Sequence, residues 1–153
     1  MRLLETKVPP PVVAGVLGLA AWLASPLLPV MAFPQPVPWW AAAVVALAGG
    51  LVELAGGMRL LRAKTTVNPL DPTKVCRLVA GGVYRFTRNP IYVGDALILL
   101  GWALYLSNAL AFAAVPLFIL YMDAFQIAPE ERALDAAFGP AYTEYRGRVR
   151  RWI

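Results

Sequence analysis

Long apolar stretches alternate with short polar ones along this chain. Between residues 8 and 52 there is no Asp, Glu, Lys or Arg, whereas a single helix needs only about 20 apolar residues to cross a bilayer. Two spans therefore fit in this first stretch. The prolines at positions 26–38 separate them, because proline is disfavoured in a helix interior. We predict one span over 11–28 and a second over 39–62, which begins at an interfacial tryptophan pair.

The second apolar stretch, residues 91–127, fits either one long helix or two short helices around Ser107 and Asn108. Basic residues lie in the N-terminal tail, within 59–88 and within 132–151, and none lies in either turn. Four spans place all of them on one side, in keeping with the positive-inside tendency, whereas three spans would divide them. The predicted spans are 91–106 and 109–127, within a single membrane domain of residues 1–153.

Composition agrees with an integral membrane protein. Hydrophobic residues make up 59% of the chain and charged residues 15%, and the mean hydropathy is +0.61, outside the usual range of soluble domains. We expect an all-α integral membrane protein with about four transmembrane helices and a cytoplasmic C-terminal helical segment. Both termini would lie on the cytoplasmic side of the plasma (inner) membrane. The oligomeric state stays open.

The net charge of +5 and the pI near 9.7 do not require a nucleic-acid partner. A basic rim beside anionic lipid headgroups explains both values, and no segment resembles a nucleic-acid-binding module. The lipid bilayer is therefore the first partner we expect.

Residue counts exclude several kinds of chemistry. Histidine is absent and cysteine occurs once, which excludes an intrachain disulfide, a Cys/His zinc site and a histidine base. No metal site is expected. The glycine pairs at 49–50 and 56–57 complete no nucleotide-binding loop. They indicate close helix packing instead, since small residues let membrane helices approach one another.

Three acidic residues fall within the predicted spans. Glu53 lies about one and a half turns before Arg59 and has two interpretations: an interfacial group that reaches water or pairs with Arg59, or the wall of a polar cavity. Asp95 and Asp123 lie near helix ends, where we expect their side chains to extend to the interface. They are weaker functional candidates than Glu53.

Two polar segments flank the last two predicted spans. Residues 81–94 (GGVYRFTRNPIYVG) contain Pro90 at an expected helix start, and the dipole of such a helix end suits a carboxylate or another anion. Residues 129–153 open with Pro129, which also predicts a helix start, and Gly139 with the next proline ends that helix and begins another. The hairpin between them brings both segments to one membrane face. Ordinary caps and a basic amphipathic tail are the simpler interpretation of these residues alone.

The two segments resemble the superfamily of isoprenylcysteine carboxyl methyltransferases and phospholipid methyltransferases, which are integral membrane enzymes. The matching parts are CRLVAGGVYRFTRNPIYVG at 76–94 and PEERALDAAFGPAYTEYRGRVRRWI at 129–153. The order Arg-x-Pro-x-Tyr, Glu-Glu-x-x-Leu and Phe-Gly-x-x-Tyr-x-x-Tyr, with a hydrophobic hairpin after the first motif, is more specific than any one motif.

The resemblance implies methyl transfer from S-adenosylmethionine to a lipophilic or small acceptor at the cytoplasmic face. The cofactor would lie between segments 76–94 and 126–151, without a Rossmann domain. The implied cofactor contacts are Cys76, Arg77, Leu78, Val79, Tyr84, Asn89, Pro90, Ile91, Tyr92 and Glu130. The residues implied in catalysis or substrate orientation are Arg88, Gln126 and Glu131, and Arg85 is an alternative to Arg88 for an anionic headgroup.

Two positions depart from the superfamily pattern. Asn89 stands where a histidine is usual, and it can hydrogen bond but cannot carry a proton at neutral pH. Gln126 stands where carboxyl-methylating relatives have an arginine near the substrate, which disfavours an isoprenylcysteine-like acceptor. A carboxylate, a phospholipid amine and a thiol all remain open as acceptors.

Two other functions remain open. The architecture also resembles that of membrane sterol reductases, which use NADPH, although this chain is much shorter. The second is a non-enzymatic small membrane subunit anchored to anionic lipid, which predicts that neither cofactor binds.

Overall fold

The computed structural model describes residues 5–64 and 77–153, and the regular elements within them are helical. The α-helices are α1 (Pro10–Ala24), α2 (Trp39–Arg62), α3 (Pro90–Leu106), α4 (Ala114–Met122), α5 (Ala128–Phe138) and α6 (Pro140–Arg148). Short 3₁₀ turns occupy Ser25–Leu27, Pro29–Met31, Gly82–Arg85 and Ala109–Ala113, and a π-helical turn occupies Asp123–Ile127. The last 3₁₀ turn, α4, the π turn and α5 form one continuous helix, Ala109–Phe138.

Three of the described helices are long and apolar enough to cross a membrane: Pro10–Leu27, α2 and Ala109–Phe138. The fourth, α3, is also apolar but has only 17 residues. It packs centrally against α1, α2 and α4, and nine of its residues are buried, compared with three in α2. Large apolar side chains elsewhere, such as Leu47 and Leu51, are exposed, as expected of a lipid-facing surface. The prediction of an all-α membrane protein with about four spans is confirmed.

The two turns without charged residues lie together at one end of the bundle, called the turn end below. Ser107 ends α3 in the left-handed region, with φ 50°, and its carbonyl accepts a 2.8 Å hydrogen bond from the Phe33 amide. The Asn108 side chain donates to the carbonyls of Ser25 (3.1 Å) and Leu28 (3.2 Å). The connector between α1 and α2 is thus joined to the turn after α3, as a four-span arrangement requires.

Helices α2 and α3 approach closely along a seam of small residues. A Cβ atom added at Gly49 would lie 2.6 Å from the Gly94 carbonyl oxygen, and one added at Gly101 would lie 2.8 Å from the Ala42 carbonyl oxygen. Both contacts are with backbone, which cannot yield as a flexible side chain can. In contrast, a Cβ at Gly50 would meet nothing within 4 Å. The prediction of close packing is therefore confirmed for Gly49, whereas Gly50 faces open space.

Pro129 is the second residue of α5, at the helix start that the sequence predicted, and α5 continues directly from the π turn without a break. Proline has no N–H to donate to the carbonyl four residues earlier, which is that of Phe125. The π turn directly precedes α5, and the Phe125 carbonyl instead accepts a 2.9 Å bond from the Thr6 amide. The segment before α1 therefore satisfies a backbone group that the proline leaves open. Gly139, with φ 48°, does end α5 before α6 begins, as predicted.

We expect Gly101→Leu to destabilise the bundle, because the added side chain must push against the backbone of α2. Overpacking of this kind costs typically about 1–3 kcal/mol. Thermal unfolding of the detergent-purified chain, followed by tryptophan fluorescence, measures the effect. Gly50→Leu is the matched control, since its side chain would enter open space. Equal melting of the two variants would contradict a tight α2–α3 seam.

Candidate functional site

The loop before α3 is tied to the end of the chain, and this joins the two polar segments that the sequence singled out. The Arg88 amide donates to the Arg150 carbonyl at 2.9 Å. The Arg151 carbonyl accepts from Thr87 Oγ1 at 3.1 Å and from Asn89 Nδ2 at 2.9 Å. Residues some sixty positions apart thus share one set of hydrogen bonds. This site lies at the opposite end of α3 from the turn end, and it is called the charged end below.

A hydrogen bond between Tyr92 and Glu130 joins α3 to α5. Tyr92 lies in the first turn of α3, is only 6% exposed, and donates to Glu130 Oε1 at 2.5 Å. A hydroxyl bonded to a carboxylate is typically this short, because the charge strengthens the bond. Two residues predicted as cofactor contacts from separate segments are therefore neighbours.

Glu131, the next residue on α5, is held by two arginines. Arg88 Nη2 lies 2.7 Å from Glu131 Oε1, and the side chains of this pair are 10% and 14% exposed. Arg151 donates to both oxygens, from Nη2 at 2.6 Å and from Nε at 3.1 Å. Such a bidentate, partly buried pair is geometrically better defined than a surface ion pair. Hydrogen bonding to Glu131 raises the pKa of the Arg151 guanidinium.

The same network extends to the fourth span. Asp123, at the start of the π turn, accepts from Arg151 Nη1 at 3.3 Å and from the Trp152 indole at 3.2 Å. Its carboxylate is therefore paired within the site. The tail after α6 consequently contacts the loop before α3, α5 and the π turn through its last residues.

Buried tyrosines close the site on the side of α6. The Tyr145 hydroxyl donates to the Tyr84 carbonyl at 2.8 Å, and the Tyr142 and Tyr145 rings lie 6.3 Å apart. Burial raises the pKa of Tyr142 and of Tyr145 to about 12, because the phenolate is poorly solvated there. Burial also raises the pKa of Tyr84. All three phenols are protonated at neutral pH, so none of them acts as a base there.

Gln126 is completely buried one turn before Glu130. Its Nε2 atom donates to the Val8 carbonyl at 2.6 Å, which fixes the orientation of the amide, and its Oε1 atom has no hydrogen-bond partner among the described residues. Buried acceptors normally have a donor. Gln126 therefore presents an unused acceptor beside Glu130.

The remaining predicted site residues lie around this network in different ways. Pro90 and Ile91 pack against α2, where a Cβ at Gly56 would lie 3.0 Å and 3.2 Å from their side chains. Leu78 and Val79 are partly buried in the segment before the 3₁₀ turn, and Arg77 is exposed. Cys76 lies outside the described residues.

The structure also places the charged residues Asp95, Glu53, Arg88 and Arg85, which the sequence left as single candidates. Asp95 is only 5% exposed, so the prediction that it extends to the interface is wrong. It lines a cleft between α1, α2 and α3 together with Glu53, which agrees with the second interpretation of Glu53. Arg88 is engaged by Glu131 and by the Arg146 carbonyl, whereas the exposed Arg85 lies over the Phe86 ring.

The sequence did not single out Arg151, Thr87 or Tyr145 as site residues. Arg151 is one of several basic residues near the end of the chain, and the composition of that segment suggested only a basic rim. No local pattern distinguishes the arginine that folds back onto Glu131 from its neighbours. Tyr145 belongs to a motif that the sequence did identify, so its position offered some signal.

Comparisons with known proteins identify the family to which this chain is similar. A model of the family described as phospholipid methyltransferase matches residues 37–141. An uncharacterized protein of Haemophilus influenzae is 48% identical over 63 residues, which is 41% of this chain and 100% of that protein. Protein-S-isoprenylcysteine O-methyltransferase of Schizosaccharomyces pombe is 37% identical over 75 residues, which is 47% of this chain.

That match covers only 30% of the Schizosaccharomyces pombe protein, so this chain aligns with under a third of the larger enzyme. No solved structure gives a significant match. The family match, however, extends over α2, α3, the fourth span and α5, well over half of the chain. This chain therefore belongs to the phospholipid methyltransferase family.

Proposed function

We propose that this protein transfers a methyl group from S-adenosylmethionine to a lipophilic or small acceptor at the cytoplasmic membrane face. Membership of a membrane methyltransferase family supports the reaction class. The observation that carries the assignment of the site is the Tyr92–Glu130 hydrogen bond. It joins the two segments that resemble the methyltransferases and aligns a carboxylate with the start of α3.

The side chains at this point suit the amino-acid part of the cofactor. Gln126 Oε1 is a buried acceptor without a donor among residues 5–64 and 77–153, and Glu130 lies one turn further along the helix, so both can accept from an ammonium group. The N-terminus of α3 suits the cofactor carboxylate through its backbone amides and dipole. When bound, the cofactor supplies a methyl group activated by a sulfonium.

The arginine–carboxylate network contributes by positioning. A displacement at a methyl group requires the acceptor, the methyl carbon and the leaving sulfur to lie in line, so much of the rate enhancement can come from alignment. Arg88, Glu131 and Arg151 hold the start of α3, α5 and the chain end at fixed distances. The apolar bundle beside them limits the access of water.

A base is needed only when the acceptor arrives protonated. A carboxylate, a thiolate or a neutral amine attacks directly, whereas an ammonium or a thiol must first lose a proton. Both oxygens of Glu131 accept from Arg151, and the buried tyrosines of α6 stay protonated. Neither Glu131 nor any of these tyrosines is therefore suited to act as the base.

Glu130→Gln and Tyr92→Phe should each weaken binding of S-adenosylhomocysteine by roughly tenfold or more, because a hydrogen bond to a charged group is lost. Calorimetric titration of the purified full chain in detergent measures the affinity. Glu144→Gln is the matched control, since this exposed residue of α6 pairs only with Arg148 in the described structure.

Parallel titrations with NADPH separate the other two functions. Saturable binding of NADPH without S-adenosylhomocysteine would support a reductase, and binding of neither would support a non-enzymatic subunit. Unchanged affinity of both variants for S-adenosylhomocysteine would contradict our placement of the cofactor.

Arg151→Gln should destabilise the charged end, because Glu131 and Asp123 lose charged donors. The side chain is 38% exposed, so the expected loss is about 1–2 kcal/mol after allowing for solvent screening. Thermal unfolding with and without S-adenosylhomocysteine measures both stability and cofactor binding.

Two further variants sharpen this test. Arg150→Gln removes the same charge from an exposed neighbouring side chain and should have little effect. Arg151→Lys keeps the charge but loses the planar fork, so it should fall between Arg151→Gln and the parent. Equal effects of Arg150→Gln and Arg151→Gln would contradict a specific role for the bidentate pair.

A further inference from the structure

A cleft of about 740 Å³ lies between α1, α2 and α3, away from the Glu131 network. Its walls are almost wholly apolar and include Gly15 and Gly18 of α1, Ala46 of α2, and Trp102 of α3. The Trp102 indole donates to the Gly18 carbonyl at 3.0 Å, which fixes one wall. The volume falls within the range of roughly 300–1,000 Å³ that is usual for a pocket holding one small ligand.

Two carboxylates interrupt this apolar lining. Glu53 and Asp95 are its acidic residues, and no lysine or arginine lines the described cleft. The Glu53 Cβ packs against the α3 backbone at Gly94, directly beside Asp95, as shown by the 2.6 Å between this atom and a Cβ added at Gly94. The two acids are therefore neighbours across the α2–α3 seam.

One oxygen of the Asp95 carboxylate lacks a hydrogen-bond partner among the described residues. The residue is 95% buried, being 5% exposed, and its Oδ2 atom has no hydrogen-bond partner in the described structure. An unpaired buried oxygen of this kind costs free energy unless a donor reaches it. The described residues contain no group of three or more side chains suited to a metal ion, so the missing donor is better sought in an organic ligand.

We propose that this cleft binds a single-chain amphiphile whose head is a protonated amine and which carries no phosphate. The amine would donate to Asp95 and pair with Glu53, and the absence of a basic lining residue disfavours a phosphate at this position. The alkyl chain would follow α3 from Asp95 towards Tyr105. That distance is about 15 Å, ten residues at 1.5 Å each.

The amine would lie about one helical turn from Tyr92, which is three residues before Asp95 on α3. The proposal rests on the shape and charge of the cleft, so it stands or falls separately from methyl transfer.

Dodecylamine, titrated into the full chain in phosphatidylcholine nanodiscs, tests the proposal after subtraction of empty nanodiscs. We expect saturable binding, followed by tryptophan fluorescence, that is roughly tenfold or more tighter than that of dodecanol or dodecyl phosphate. Asp95→Asn and Glu53→Gln should each weaken it by about tenfold, whereas Glu144→Gln should leave it unchanged. Equal affinity for the amine and the alcohol, or tighter binding of the phosphate, would overturn the proposal.

A second pair of variants leaves the acids intact. A Cβ at Gly15 meets nothing within 4 Å, so Gly15→Leu should enter the cleft without a clash and abolish dodecylamine binding. Gly57→Leu, at another open position outside the cleft, is the control and should bind normally. Undiminished binding by Gly15→Leu would refute the placement. S-adenosylhomocysteine binding without amine binding would overturn this inference alone, and the reverse result would overturn only the proposed function.

Discussion

The close contact between α2 and α3 is the constraint on which the rest of the structure depends. Gly49 and Gly94 bring the two backbones together where any side chain would collide. This approach positions Glu53 beside Asp95, and it lets Pro90 settle against Gly56 at the start of α3. The seam of small residues therefore sets the positions of side chains both at the charged end and in the acid-lined cleft. In a membrane, such packing replaces much of the hydrophobic driving force of soluble proteins.

The broad architecture could be predicted because lipid imposes simple rules on a sequence. Charge-free length and the distribution of basic residues were sufficient to indicate about four spans, and paired glycines indicated close packing. Pro129 correctly indicated the start of α5, but no local rule showed that α5 would continue from the fourth span without a break. The outcome depended on a distant partner, since the Thr6 amide bonds to the carbonyl that this proline leaves without a donor.

The candidate site shows the same division between local and distant effects. Motifs selected Tyr92 and Glu130, and the fold places them in contact. No local sequence pattern indicated that Arg151, among several arginines near the chain end, would bind Glu131 through two hydrogen bonds. Asp95 was misjudged because its position near a helix end suggested access to water, whereas neighbouring helices bury it. Pairings between distant segments, and burial by other helices, are not encoded in any short window of sequence.

The π turn at Asp123–Ile127 has a consequence for how the fourth span can serve two environments. Such a turn holds one more residue than a turn of α-helix, so it shifts the angular phase of everything after it by about 100°. Side chains before the turn face α1 and α3 within the bilayer. Side chains after it face the charged end. One extra residue thus sets a fixed angular offset between the two halves of one continuous helix. Each half can therefore present its side chains to different neighbours without a break in the helix.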